Sequence, residues 1–211
     1  RVELDLSRLV IVMMDDYVVP DPHTGLLRRV PVELPYSCEG FGRREILDAI
    51  NAGRDDSGMP AANLWFPDPS DPAAYDARIE ASGGIDFFIL ATGKSDGHVA
   101  FNPPGSEISS RTRIVDLPLE TRTDNLVTFP AFESIAEVPR QGVTVGLATI
   151  RTSRRAVMLL VGADKSVAAS RVLAVDHYVP EWPSTIVHEC ADYDVYATSD
   201  VGVKTESSPH G

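Results

Sequence analysis

With 211 residues, of which 43% are hydrophobic and 24% charged, the chain has the composition of an ordinary globular protein with one full core, which excludes a disordered chain and a coiled coil. A formal net charge of -12 sets it against other polyanions, so neither nucleic acid nor an anionic membrane is an expected partner, and an anionic small molecule would need a local cationic pocket. Cys38 and Cys190 stand far apart without CxxC spacing, which excludes a disulfide framework and a zinc site and suits a reducing compartment, cytoplasmic by default.

Residues 1–19 lack the basic start, apolar centre and small-residue cleavage site of a signal peptide, and no apolar run approaches the roughly 20 residues that span a bilayer. A first residue Arg1 in place of Met leads us to expect a truncated or processed chain, with an upstream segment ahead of it. Residues 9–14 (LVIVMM) read as a short buried parallel strand that ends at Asp15, Asp16 and Tyr17. Residues 20–35, with their prolines, Gly25, Arg28 and Arg29, read as an irregular excursion of the kind that serves as a lid or binding loop. Residues 41–50 place Ile46, Leu47 and Ile50 at helical spacing, with Gly53 as the stop. After a brief strand at 63–66, Asp71 is a good N-cap and Pro72 suits the first helical position, which predicts a helix over 72–81 with Tyr75 and Ile79 one turn apart and Gly83 and Gly84 beyond its end.

Residues 85–91 are apolar but for Asp86, and the run then breaks into Thr92, Gly93, Lys94, Ser95, Asp96, Gly97 and His98. This pattern predicts a buried strand that delivers polar side chains to its carboxyl end, where ligands of open parallel sheets bind. Residues 113–117 read as a strand and 120–126 as a helix, whereas 142–150 (GVTVGLATI) are too glycine-rich for more than a short strand at Val143 and Val145. Residues 156–161 (AVMLLV) form another buried strand that runs into Gly162, Ala163, Asp164 and Lys165. Ala168, Val172 and Val175 mark a helix from near Asp164, so Lys165 lies beside a helix N-terminus, which itself favours anions. Residues 193–197 are the last strand, 1–204 one domain, and 205–211 a solvated tail. Strands alternating with helices predict an α/β three-layer sandwich with a mainly parallel, doubly wound sheet.

The motifs narrow the chemistry. Gly93, Lys94 and Ser95 imitate the end of a phosphate-cradling nucleotide loop, but Phe88 stands where that loop needs its first glycine. No GxSxG elbow, GxGxxG fingerprint or HExxH pair is present. Asp96 and His98 read either as a carboxylate and imidazole pair or as a solvated Asp-Gly turn. Asp15 and Asp16 read either as a general base beside a second acid or as an acidic surface turn, and Lys165 either as an anion ligand or as a surface lysine. A metal held by Asp15, Asp96 and His98 would match no known ligand spacing, and no cofactor is expected.

Five segments in order, MMDDYV at 13–18, SDGHVAFN at 95–102, SRTRIVDL at 110–117, VPRQGVTVGLATI at 138–150 and VGADKS at 161–166, resemble the glucosamine-6-phosphate deaminase (isomerase) family. The resemblance implies the fold shared with ribose-5-phosphate isomerase and coenzyme A transferases. It implies Asp15 as the base that moves a proton between C2 and C1 of an opened amino-sugar phosphate, His98 as the ring-opening acid and base, Asp96 as its orienter, and Lys165 as the phosphate ligand. Asp16 and Gly97 fall beside these as substrate-binding residues, and Ser110, Arg111 and Arg113 match a segment that lines an effector site in some members. The implied partner is a small-molecule sugar phosphate, and the family allows a homo-oligomer. Three departures stand against this pattern: Pro103 replaces the family glutamate that completes an Asp-His-Glu set, Val127 replaces a phosphate-binding arginine, and the family's upstream strand and phosphate loop are absent from the sequence. A deaminase is the first expectation. The related 6-phosphogluconolactonases, which also carry a DGH turn, supply a second, and a non-catalytic sugar-phosphate sensor a third.

Overall fold

The computed structural model of the chain describes residues 4–54 and 57–202, so the expected tail at 205–211 lies outside the described residues. Strand β1 (Ile11–Val12) pairs in parallel with β4 (Leu64–Trp65). A second parallel sheet has the order β5 (Phe87–Leu90), β8 (Arg155–Leu160), β9 (Tyr193–Ala197). The third sheet is antiparallel, with β3 (Leu27–Arg29), β2 (Asp15–Pro20), β7 (Gln141–Thr144) and β6 (Arg113–Asp116) in that order. The α/β class and the two parallel sheets agree with the sequence pattern. The expected single doubly wound sheet is divided: among the described residues no ladder pairing joins β1 and β4 to β5, β8 and β9, and β2 pairs antiparallel with β7 in a sheet of its own.

The acids at 15 and 16 therefore open a strand instead of trailing one. Residues 20–35 are likewise more regular than expected, since β3 folds back on β2 with Val18 opposite Arg29. The stretch 142–150 holds β7 and a short helix α5 (Leu147–Arg151). Its glycines are close-approach positions rather than breakers: a methyl at Gly142 would overlap the Phe101 ring, and one at Gly146 would overlap the Ser110 carbonyl.

The helices follow local rules more closely. Ser37 accepts from the Gly40 N-H and starts a helical run made of α1 (Cys38–Phe41), a π-helical segment (Gly42–Leu47) and α2 (Asp48–Asn51). Helix α3 (Pro72–Ala81) begins with the Asp71 cap, whose carboxylate accepts from Ala74 at 3.2 Å, and buries Tyr75 and Ile79. Helix α4 (Leu119–Thr128) turns Thr121 and Asp124 inward, and α6 (Ser166–Leu173) follows a 3-10 turn at Ala163–Lys165.

Of three apolar clusters among the described residues, one of them at Leu47, Met59 and Leu64, two adjoin the polar centre. The larger gathers Trp65, Tyr75, Ile79, Leu90, Leu147, Met158, Leu160 and Ile186; the smaller surrounds Tyr17 with Val30, Phe101, Val115 and Leu117. Strand β5 is covered on one face only: Phe88 and Leu90 are buried, whereas Phe87 and Ile89 are 51% and 53% exposed. The expectation that this apolar run is buried on both sides is thus corrected by the pleat, which sends alternate residues to opposite faces.

Candidate active site

The polar stretch after β5 closes on itself. Thr92 bridges to Val99, and the Gly93 N-H donates to the His98 carbonyl at 2.8 Å, so residues 94–97 form the tip of a tight turn. Within it, Asp96 Oδ1 accepts from the His98 backbone N-H at 3.2 Å and faces His98 Nδ1 at 2.6 Å. Because a carboxylate only accepts, the proton is assigned to Nδ1, which leaves the Nε2 lone pair free for chemistry. Burial opposes ionisation of Asp96, but the His98 hydrogen bond and charge and the Thr121 hydroxyl outweigh it and hold the carboxyl below its ordinary range.

The turn depends on its neighbours. A methyl at Gly93 would overlap the His98 ring and come within 2.6 Å of Asp96 Oδ1. Gly97, at φ +69, lies under the Trp182 indole, and its carbonyl accepts from the Ser184 N-H at 2.8 Å. The place expected for Gly97 is thus roofed by an aromatic ring. From α4, Thr121 Oγ1 donates to Asp96 Oδ2 at 2.5 Å, while the Asp124 carboxylate accepts from Ser95 N at 3.1 Å and Ser95 Oγ at 2.6 Å.

Asp15 reaches the same centre through the smaller core. The Tyr17 ring packs on Phe101 at 5.0 Å between centroids, the Phe101 N-H donates to Thr144 Oγ1, and the Val145 N-H donates to the Met14 carbonyl. These contacts lay the start of β2 against the chain that leaves the turn, close enough for Asp15 and His98 to interact electrostatically. Burial raises the Asp15 carboxyl to about 7, and the Asp16 charge adds to the effect against the opposing Cys38 thiol and His98. Among the described residues its one hydrogen-bond donor is the weak Cys38 Sγ at 3.5 Å. Burial and the two carboxylates push the Cys38 thiol far up, so it stays protonated.

Asp16 points to the other face of β2 and is fully buried. It accepts from the backbone N-H groups of Tyr17, Cys38 and Glu39 at 2.8 to 3.0 Å, which ties β2 to the start of α1. Burial still leaves its carboxyl raised to about 6. Lys165 Nζ donates to the Thr92 carbonyl at 2.6 Å, so its ammonium stands at the root of the turn, and among the described residues no carboxylate pairs with it.

The residues expected at an effector site make internal contacts. Ser110 Oγ accepts from the Leu147 N-H, Arg111 reaches Glu80 and Asp76, and Arg113 donates to Asn102 Oδ1 and Ser106 Oγ. Asn102 is completely buried beneath the turn, Pro103 follows it, and Val127 lies exposed on α4. Among the described residues no group of three or more His, Cys, Asp and Glu side chains converges in metal-holding geometry.

Sequence reasoning missed Gly93, Cys38, Thr121, Asp124 and Trp182. Thr121 and Asp124 left one readable signal: two polar residues at i and i+3 on the inward side of a helix. What the centre can do is acid-base chemistry, since a carboxyl raised toward neutrality lies within electrostatic reach of an oriented imidazole, with the Lys165 ammonium at the root of the same turn.

The family model for glucosamine-6-phosphate isomerases and 6-phosphogluconolactonase matches residues 28–196. The glucosamine-6-phosphate deaminase of Pseudarthrobacter chlorophenolicus is 38% identical over 172 residues, covering 78% of this chain and 58% of that protein. That of Shouchella clausii is 31% identical over 181 residues, covering 85% and 69%. This chain therefore spans little more than half the length of the first of these relatives. Among solved structures, a monomeric glucosamine-6-phosphate deaminase aligns with a TM-score of 0.74 at 24% identity, over 93% of this chain and 75% of that one. The 6-phosphogluconolactonase of Trypanosoma cruzi aligns at 0.57 and 17%, over 82% and 68%. Among the described residues no helix is long and apolar enough to cross a membrane. The chain belongs to the glucosamine-6-phosphate isomerase and 6-phosphogluconolactonase family.

Proposed function

We propose that the protein isomerises and deaminates an amino-sugar 6-phosphate, releasing a ketose phosphate and ammonia. The observation that carries this reading is the pairing of Asp15, whose carboxyl is raised to about 7, with a His98 imidazole held on the buried Asp96. The Lys165 ammonium would take the phosphate dianion. His98 Nε2 would accept the proton of the anomeric hydroxyl and return it to the ring oxygen, opening the sugar to an aldehyde at C1. Asp15 would then remove the C2 proton and deliver it to C1 through an enolamine. The resulting C2 imine adds water and expels ammonia, so one water is consumed for each ammonia released. We infer the fold to be the one shared with ribose-5-phosphate isomerase and coenzyme A transferases, and the setting to be cytoplasmic, where sugar phosphates are held.

Pro103 favours a second reading, hydrolysis of a sugar-phosphate lactone. It leaves the Asp96 and His98 pair without the family glutamate, and that pair alone can activate water. Incubating the full-length protein with glucosamine 6-phosphate and with 6-phosphogluconolactone, while measuring ammonia, ketose phosphate and lactone loss, separates the two. Lactone hydrolysis without ammonia would replace the first reading with the second.

A further inference from the structure

We propose that Thr121 is a positioning residue of this centre, the group that fixes Asp96 and through it the tautomer and aim of His98. The inference rests on the acid-base reading of the Asp96 and His98 pair. It begins with an uneven distribution of donors. Asp96 Oδ1 faces two, the backbone N-H and Nδ1 of His98, both from its own turn. Among the described residues Oδ2 has a single donor, the Thr121 hydroxyl at 2.5 Å, supplied by another element. Without it the carboxylate would be held by one oxygen, free to swing about its terminal torsion and take the imidazole with it.

The helix shows that this hydroxyl is committed to the task. On α4, Thr123 and Thr128 return their hydroxyls to carbonyls four residues earlier, Leu119 and Asp124. Thr121 instead spends its hydroxyl on Asp96 and is 1% exposed. Its β-branched side chain has few rotamers in a helix, so the oxygen is held in place by the backbone. One turn on, Asp124 accepts both Ser95 donors, and α4 thereby grips the turn at Ser95 and at Asp96. On the opposite side Gly93 contributes no side chain, and Trp182 and Ser184 hold Gly97 rather than the carboxylate, so α4 supplies the side-chain support that reaches Asp96 itself. Thr121 Oγ1 also lies 3.3 Å from His98 Nδ1, but the carboxylate at 2.6 Å is the nearer partner for that proton.

The titratable groups around the imidazole are Asp96 in its own turn, Asp15 from β2, Asp124 from α4 behind Ser95, and Lys165 at Thr92. Removing the Thr121 donor makes Asp96 a more basic acceptor, which strengthens its hold on the Nδ1 proton whenever it faces the ring but lets it face the ring less often.

The test uses Thr121→Val, which keeps the shape and deletes the hydroxyl, Thr121→Ala in case the valine variant folds poorly, and Thr121→Ser, which restores the donor. Nitrogen-detected NMR of the His98 ring in substrate-free protein reads tautomer and titration midpoint without requiring turnover. The expected result is one Nδ1-H tautomer in the parent and the serine variant. The valine and alanine variants should show mixed tautomers and a midpoint displaced by about half a pH unit, with kcat on the active sugar phosphate down about tenfold at nearly unchanged KM. A valine or alanine variant with the parent's tautomer and midpoint would overturn the proposal whatever its rate. A parent protein inactive on amino-sugar phosphates would overturn the proposed function and leave the ring measurement to decide this one.

Discussion

Replacing Asp15 by Asn should make the protein more stable while disabling it. The carboxyl sits at about 7 in the fold against an ordinary 3.8, so ionising it there costs about (7 − 3.8) × 1.36, on the order of 4 kcal/mol before solvent relaxation. Asp15 is half-buried, which brings the expected measurable cost to about 2–4 kcal/mol. For a raised carboxyl the stabilisation is fully present below 3.8 and is lost as pH rises through about 7. Asn cannot titrate, so the variant lacks that loss. Asp16, raised to about 6, has the same sign but is present in both proteins and cancels in the difference. Urea unfolding at pH 4.5 and at pH 8.5 provides the assay. The variant should gain at most about 0.5 M in midpoint at the lower pH, which already lies a little above 3.8, and about 1–2 M at the higher one, while turnover falls about 10²–10⁴-fold. An equal pH difference in the two proteins, or a variant less stable at pH 8.5, would refute the idea that Asp15 is a carboxyl held near neutrality by burial.

Other perturbations bear on neighbouring parts of the centre. Gly93→Ala places a methyl on His98 and Asp96, and it should cost about 1–3 kcal/mol in thermal or urea unfolding together with nearly all activity. Lys165→Met should raise KM for the phosphorylated substrate at least about tenfold, with a smaller effect on kcat, as steady-state kinetics can show. The pH profile of kcat/KM in the parent should rise through about 7 as Asp15 ionises, and this limb should vanish in whatever activity Asp15→Asn retains.

Local signals were legible wherever local physics decides the outcome. Asp71 and Pro72 announce α3 at its observed start, and the apolar runs at β8 and β9 form strands where their patterns place them. The errors fall where a distant contact overrides composition. Glycines 142 and 146 read as breakers because nothing nearby in sequence reveals Phe101 or Ser110 pressing on them. The β2 to β3 hairpin was hidden by the prolines around it, and the one-sided burial of β5 by side chains that are apolar on both faces. In the centre itself, Asp96 and His98 could be paired on paper because they lie two residues apart in a turn. Their juxtaposition with Asp15 runs through Tyr17, Phe101 and Thr144, a path invisible without the fold. Thr121 and Cys38 went unnoticed for the same reason, since each matters only through a partner far along the chain.

The Trp182 and Ser184 contacts with Gly97 bear on timing as well as geometry. The roof of the turn that carries Asp96 and His98, and one of its hydrogen bonds, come from residues more than eighty positions later. During synthesis the centre therefore stays unfinished until the segment that holds Trp182 and Ser184 has emerged. On heating, loosening of the 182–190 segment would strip the turn of that roof and hydrogen bond while α4 still holds its other side, so the centre can loosen before the fold is lost.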